Sequence, residues 1–160
     1  MTSKADFSEE EWARIRRAPF VAGMAISIAD PGGPIEVAKE TMASVRSASA
    51  PPVEEELLLA VAHDIQALAK QKQNPMGGFK PTGGALAGQQ VLEELRAVNE
   101  IVTAKATPEE AAAFRRWLVT TAQTAADAAK EGGFMGFGAE QVSKGEQAML
   151  AQLGSALGIS

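Results

Sequence analysis

Apolar residues recur every three or four positions through most of this 160-residue chain, and this spacing limits its possible folds more than any other feature. Such a repeat places apolar side chains on one face of an α-helix, whereas a half-buried strand would alternate apolar and polar residues. The repeat is plainest at Leu58, Val61, Ile65 and Leu68, and again at Val91, Leu95, Val98 and Val102. No stretch of the sequence alternates over the length of a strand. The sequence therefore predicts an all-α fold.

Three capping boxes indicate where helices begin. In this motif a Ser or Thr side chain accepts a hydrogen bond from the backbone three residues later, and a Glu side chain at that later position bonds back. The pairs are Ser8 and Glu11, Thr107 and Glu110, and Ser143 and Glu146. Phe7 and Trp12 flank the first box, which is the arrangement of a hydrophobic staple.

Proline and glycine divide the rest of the chain into segments. Because Pro19 disfavours helical geometry at Ala18, we expect a first helix to end near Arg17 and a second, apolar nearly all round, to follow. The predicted helices are 8–17, 20–29, 34–47, 53–72, 85–104, 107–130 and 143–158, with a long loop over 73–84. They predict one all-α domain over residues 1–160, a bundle of six to seven helices, with residues 1–7 as a flexible N-terminal tail.

The composition excludes several classes of site and partner. The absence of cysteine excludes disulfides, thiolate nucleophiles and cysteine-based metal sites. The net charge of −5 and the scattered basic residues argue against a nucleic-acid partner. No window approaches the roughly 18 apolar residues of a membrane span, and the N-terminus lacks the apolar core of a signal peptide. We therefore expect a cytoplasmic protein with no transmembrane segment.

No catalytic constellation is readable in the sequence. The single histidine, His63, lies opposite the apolar stripe of its helix, as a solvated side chain would. One histidine cannot build the usual zinc sites, and no Gly-x-Ser-x-Gly elbow supplies a nucleophile. The position three before His63 is Ala60, which excludes the Glu-x-x-His motif of di-iron bundles. We therefore predict no catalytic residue and no bound cofactor, and favour a binding module over an enzyme.

The least ordinary stretch is the glycine- and Phe/Met-rich segment from Gly132 to Gly138. Glycines before a helix can bind phosphate, although no strand and no Gly-Lys-Ser/Thr accompany these. Alternatively, the glycines form tight turns while the apolar side chains pack into the core, or those side chains stay exposed as a docking patch. The side chains in question are Phe134, Met135 and Phe137. The shorter run Gly77-Gly78-Phe79 echoes the same pattern.

Two parts of the chain resemble the TerB-like (tellurite-resistance B) helical fold. Trp12, Ala18-Pro19 and Ala25 to Asp30, followed by Glu36 or Glu40, are similar to a unit in which an apolar helix ends in an acidic turn and the next helix carries a glutamate. The stretch from Ala125 through Glu146 to Gly158 is similar to the family's second copy of that unit. The resemblance implies a bundle of two related helix–turn–helix halves and a module linked to stress responses. It also implies a divalent-metal site formed by Asp30, Glu40 and Glu146.

We expect the domain to act as a binding or interaction module, with a protein partner or a second copy of the chain. The alanine-rich face of the helix at 107–130 and the Phe/Met segment are suited to a homodimer or partner contact. The predicted interaction or pocket residues are Phe134, Met135, Phe137, Phe79 and Trp117. One alternative is the metal-binding function that the resemblance implies. Another is an apolar-ligand pocket of about 300 Å³ or more, lined by Phe20, Met24, Trp117, Phe134 and Met135.

Overall fold

The computed structural model describes residues 2–29, 43–81, 86–130 and 144–159, and all regular structure within these ranges is helical. A short 3₁₀-helix at Lys4–Asp6 comes first. It is followed by α1 (Glu9–Ala29), α2 (described over 43–48), α3 (Glu56–Lys70), α4 (Ala87–Lys105), α5 (Pro108–Lys130) and α6 (Lys144–Ala156). The prediction of an all-α bundle is confirmed. No described helix contains an apolar stretch long enough to span a membrane.

Helix α1 lies at the centre of the bundle. It packs chiefly against α4 and α5 and also contacts α3 and α6. Ile15, Val21 and Ile26 on this helix are completely buried. A helix enclosed by neighbours on several sides needs apolar residues around most of its circumference, which explains why its second half is apolar nearly all round.

The predicted helix break at Pro19 is wrong. Helix α1 runs from Glu9 to Ala29 with Pro19 inside it, buried. A proline inside a helix costs about 3 kcal/mol, because it lacks the N–H donor and crowds the preceding turn. Here Trp12 and Ile15 before the proline and Ile26 after it are all buried in one core. Burying each large apolar side chain contributes about 2 kcal/mol, so the packing of both halves outweighs the cost of the proline.

The other helix ends lie close to those predicted, with one clear difference. Helix α3 begins at Glu56 and not near Val53, because residue Glu55 is extended, with φ −82° and ψ 140°, and acts as the N-cap. The predicted start of α2 at residue 34 lies outside the described residues, and its last helical residue is 48.

The first capping box and its hydrophobic staple are confirmed. The backbone N–H of Glu11 donates to Ser8 Oγ at 3.1 Å, and the Ser8 N–H donates to Glu11 Oε1 at 3.4 Å. The rings of Phe7 and Trp12 lie 5.7 Å apart between centroids. Both interactions are local, so the start of α1 is specified by adjacent residues.

Residues 2–7, predicted as a flexible tail, contact the bundle through Thr2, Lys4 and Phe7. The Thr2 backbone N–H donates to Glu110 Oε1 at 3.0 Å, and Thr2 itself is buried. Glu110 also completes the second predicted capping box, in which its N–H bonds Thr107 Oγ1 and its Oε2 accepts from the Thr107 N–H, both at 3.2 Å. One carboxylate therefore caps α5 and holds the N-terminal segment.

Candidate functional site

An apolar groove lies between the second half of α1, α2 and the turn that follows α3. Its volume is about 410 Å³, within the range of roughly 300–1,000 Å³ of small-molecule sites. The described residues that line it are Phe20, Gly23, Met24, Ser27, Ser44, Val45, Asn74, Pro75 and Met76. Two of the residues predicted to line an apolar pocket, Phe20 and Met24, are among them.

A close approach of two helices forms the base of this groove. A Cβ atom placed on Gly23 of α1 would lie 2.7 Å from the Cβ of Ser44 on α2, closer than real side chains approach. Glycine is therefore required for this helix contact. Phe20, Met24 and Ser27 are spaced three or four residues apart along α1, so they lie on one face of this helix. That face forms one side of the groove.

The opposite wall is a turn whose shape is held by its own hydrogen bonds. Asn74 Oδ1 accepts a hydrogen bond from the Met76 backbone N–H at 2.9 Å. The Asn74 carbonyl accepts from the Gly77 N–H at 3.2 Å, and Gly77 adopts a φ of +59°, a conformation that favours glycine. These bonds keep Pro75 and Met76 at the groove.

A half-buried ion-pair cluster of Arg14, Arg17 and Glu94 lies within the two helical turns before Phe20. Arg17 donates from Nε and Nη2 to Glu94 Oε1 at 3.1 and 2.8 Å. Arg14 donates from Nε to Oε1 and from Nη2 to Oε2 of the same carboxylate, at 3.2 and 2.9 Å. The ring of Phe79 lies 5.2 Å from the Arg17 guanidinium carbon. Glu94 therefore joins α1 to α4, and Arg17 links this cluster to the segment after α3.

The electrostatics of this cluster favour its ionised form. Burial raises the pKa of Glu94, but hydrogen bonds from Arg14 and Arg17 outweigh that effect and hold the pKa below its ordinary value. The hydrogen bond to Glu94 in turn raises the pKa of Arg14. Both partners thus stay charged, which fits a structural connection between helices better than proton transfer.

A second carboxylate joins α1 to α3. Asp64 Oδ2 accepts from Trp12 Nε1 at 2.7 Å and from Lys4 Nζ at 2.9 Å, and Arg16 Nη1 lies 3.9 Å away. Burial raises the pKa of Asp64, but the hydrogen bonds from Lys4 and Trp12 bring it below its usual value. Adjacent to it in sequence, His63 is exposed, as predicted.

The structure places the two described members of the predicted interaction set in different surroundings. Phe79 is half-buried beside Arg17. Trp117 is completely buried, its Nε1 donates to the Ser47 carbonyl at 2.8 Å, and its ring meets Phe114 edge-on. Trp117 is thus a core residue and is not among the described residues that line the groove.

Three further residues of that set, Phe134, Met135 and Phe137, lie outside the described residues. Their roles in a docking patch, a core or a pocket stay predictions, as does a homodimer.

The predicted metal site also stays a prediction, because Asp30 and Glu40 lie outside the described ranges. Glu146, its third member, is buried in the first turn of α6 and has an interaction partner. Within the described part of the chain, no three His, Asp or Glu side chains converge as metal ligands.

Sequence reasoning missed both the turn at 74–76 and the Glu94 cluster. The turn lines the groove only because the tertiary fold places it beside α1 and α2, which its local sequence does not show. A signal for the cluster was present, since Glu94 lies on the same helical face as Val91, Leu95 and Val98, which are buried. A carboxylate in an apolar stripe needs a cationic partner, and Arg14 and Arg17 lie one turn apart on α1.

No family model, curated protein or solved structure matches this chain. The TerB-like resemblance therefore stays a prediction from the sequence.

Proposed function

We propose that the chain is a small helical binding module whose ligand site is the groove between α1, α2 and the turn at 74–76. The observation that carries the proposal is the apolar cavity of about 410 Å³ bounded by Phe20, Met24, Val45 and Met76. Binding an apolar molecule there would remove both ligand and lining surface from water, which is favourable.

The solvent exposure of an apolar lining residue supports a ligand-binding function for the groove. Val45 is 42% exposed although it is apolar and its neighbour Ser44 is buried. A ligand in the groove would cover apolar surface that the described fold leaves open to water. Such coverage contributes about 25 cal/mol for each Å² removed from water.

The methionines in the lining favour a small, adaptable site. Met24 and Met76 are unbranched, and such side chains adjust to ligands of different shape. Because a water molecule takes up about 30 Å³ in the liquid, the groove of about 410 Å³ corresponds to about 14 water molecules. We therefore expect a small ligand of comparable volume.

The test is a titration with N-phenyl-1-naphthylamine, an uncharged dye whose fluorescence rises in apolar surroundings. Val45→Arg places a long charged side chain at the groove and is expected to abolish the fluorescence rise. Val53→Arg is a matched control, because Val53 is the same residue type, is 41% exposed against 42% for Val45, and is not among the described lining residues.

The wild type and Val53→Arg are expected to bind the dye with equal affinity. The proposal fails if the wild type does not bind the dye, or if Val45→Arg and Val53→Arg behave alike at equal melting temperature.

A further inference from the structure

We infer that the ligand of this groove is an uncharged molecule that carries a hydrogen-bond acceptor, such as a carbonyl or ether oxygen, on an apolar body. The assignment rests on the proposed binding function and narrows it to one chemical class. Three observations support this ligand class. The described lining residues carry no charge, the neighbouring Arg17 is already hydrogen-bonded to Glu94, and a hydrogen bond fixes the orientation of the Asn74 amide.

The described lining offers no counter-charge to an ionic ligand. None of its nine residues is Asp, Glu, Lys, Arg or His. Arg17, one turn before Phe20, already donates from Nε and Nη2 to Glu94. A charged ligand would lose hydration without gaining a partner from these residues, and burying an unpaired charge is costly. An uncharged ligand avoids this cost.

Among the polar side chains of the described lining, one hydrogen-bond donor is available to a ligand. Ser27 and Ser44 each have interactions of their own. Asn74 Oδ1 accepts from the Met76 N–H, and this bond fixes the orientation of the amide. The remaining polar group of that exposed side chain is the amide Nδ2 NH2 group, which holds no hydrogen bond among the described contacts. An amide NH2 group only donates, so its ligand partner is an acceptor.

Three naphthalene derivatives of equal size separate charge from hydrogen bonding. 2-Acetylnaphthalene carries an acceptor carbonyl, 2-isopropylnaphthalene carries no polar group, and 2-naphthoate is an anion. Their affinities would be measured by displacement of N-phenyl-1-naphthylamine from the wild type and from two Asn74 variants. Asn74→Ala removes the whole amide. Asn74→Asp keeps an oxygen that can accept from Met76, replaces the donor with a second acceptor and adds a negative charge.

We expect the ketone to bind the wild type about fivefold more tightly than it binds Asn74→Ala or Asn74→Asp, the usual effect of one neutral hydrogen bond. The hydrocarbon is expected to bind all three proteins with affinities within about twofold, since its contacts are apolar. The naphthoate is expected to bind the wild type at least about tenfold more weakly than the ketone.

Two results would overturn the assignment while leaving the binding function intact. One is naphthoate affinity equal to that of the ketone. The other is an equal loss of ketone and hydrocarbon binding in Asn74→Asp, which would mean that Asn74 acts by shaping the turn and not by donating to the ligand. If neither the dye nor any naphthalene binds the wild type, the binding function itself is refuted and the assignment falls with it.

Discussion

Gly23 of α1 contacts Ser44 of α2 so closely that a Cβ atom on the glycine would lie 2.7 Å from the Ser44 Cβ. Ser44 is buried, and both residues line the apolar groove. Glycine inside a helix is unfavourable by about 1 kcal/mol relative to alanine, so its presence here has a packing reason. The close contact sets the distance between the helices that form the groove.

Gly23→Ala is therefore expected to destabilise the protein and to weaken dye binding. Overpacking of this kind costs about 1–3 kcal/mol, which exceeds the gain in helix propensity. Urea unfolding would measure the change in the free energy of unfolding. Gly78→Ala is the control, since a Cβ there meets no atom within 4 Å. Adding Ser44→Gly to Gly23→Ala should restore stability in part, and its failure to do so would argue against the steric account.

Glu94→Gln should destabilise the fold by about 2 kcal/mol, because it leaves Arg14 and Arg17 without the charge that binds them. The side chains of the two arginines are partly exposed, at 31% and 17%, and water therefore limits the loss. The neighbouring Glu93→Gln is the matched control, because Glu93 is exposed and its bond to Gln89 Nε2 is long, at 3.5 Å. Equal unfolding free energies for the two variants would contradict a stabilising role of the cluster.

Acid is expected to destabilise the protein through three carboxylates. The pKa values of Glu94, Asp64 and Glu110 are each lowered in the folded state, because burial raises them less than their hydrogen bonds lower them. A lowered folded-state pKa gives stability that is fully present above the unfolded pKa and is lost as pH falls through the folded value. The free energy of unfolding should thus decrease below about pH 4, the ordinary carboxylate range.

Measuring the free energy of unfolding of Glu94→Gln over the same pH range tests this predicted loss of stability in acid. Its unfolding free energy should fall less steeply with acid than that of the wild type, because one titrating group is gone. A slope as steep as the wild type's would show that Glu94 does not contribute.

Trp12→Phe should destabilise the protein by about 1.5 kcal/mol, because Asp64 loses the indole donor at 2.7 Å while a ring remains beside Phe7. The pKa of the Asp64 carboxyl should rise towards its ordinary value, which an NMR titration of that carboxyl would measure. In a double-mutant cycle with Asp64→Ala, which removes the acceptor, the two changes should not add. Additive effects would show that the indole stabilises only by packing.

Helix starts and apolar faces were predictable because the interactions that specify them are local. The Ser8–Glu11 and Thr107–Glu110 boxes each join residues three apart, and both form as predicted. The core face of α4 followed from the spacing of its apolar residues. In each case the partner is within one helical turn, so its geometry depends little on the rest of the chain.

The sequence by itself thus determined an all-α fold, two described helix starts and the apolar residues that form the core. Only the tertiary structure decided that α1 continues through Pro19, since its buried contacts with several helices outweigh the local cost of the proline. Tertiary packing likewise brought Arg17 to Glu94, 77 positions away, and set the 74–76 turn against α1 to form the groove. Contacts between distant residues depend on how the helices pack, and a helical repeat specifies which face is buried but not which neighbour covers it.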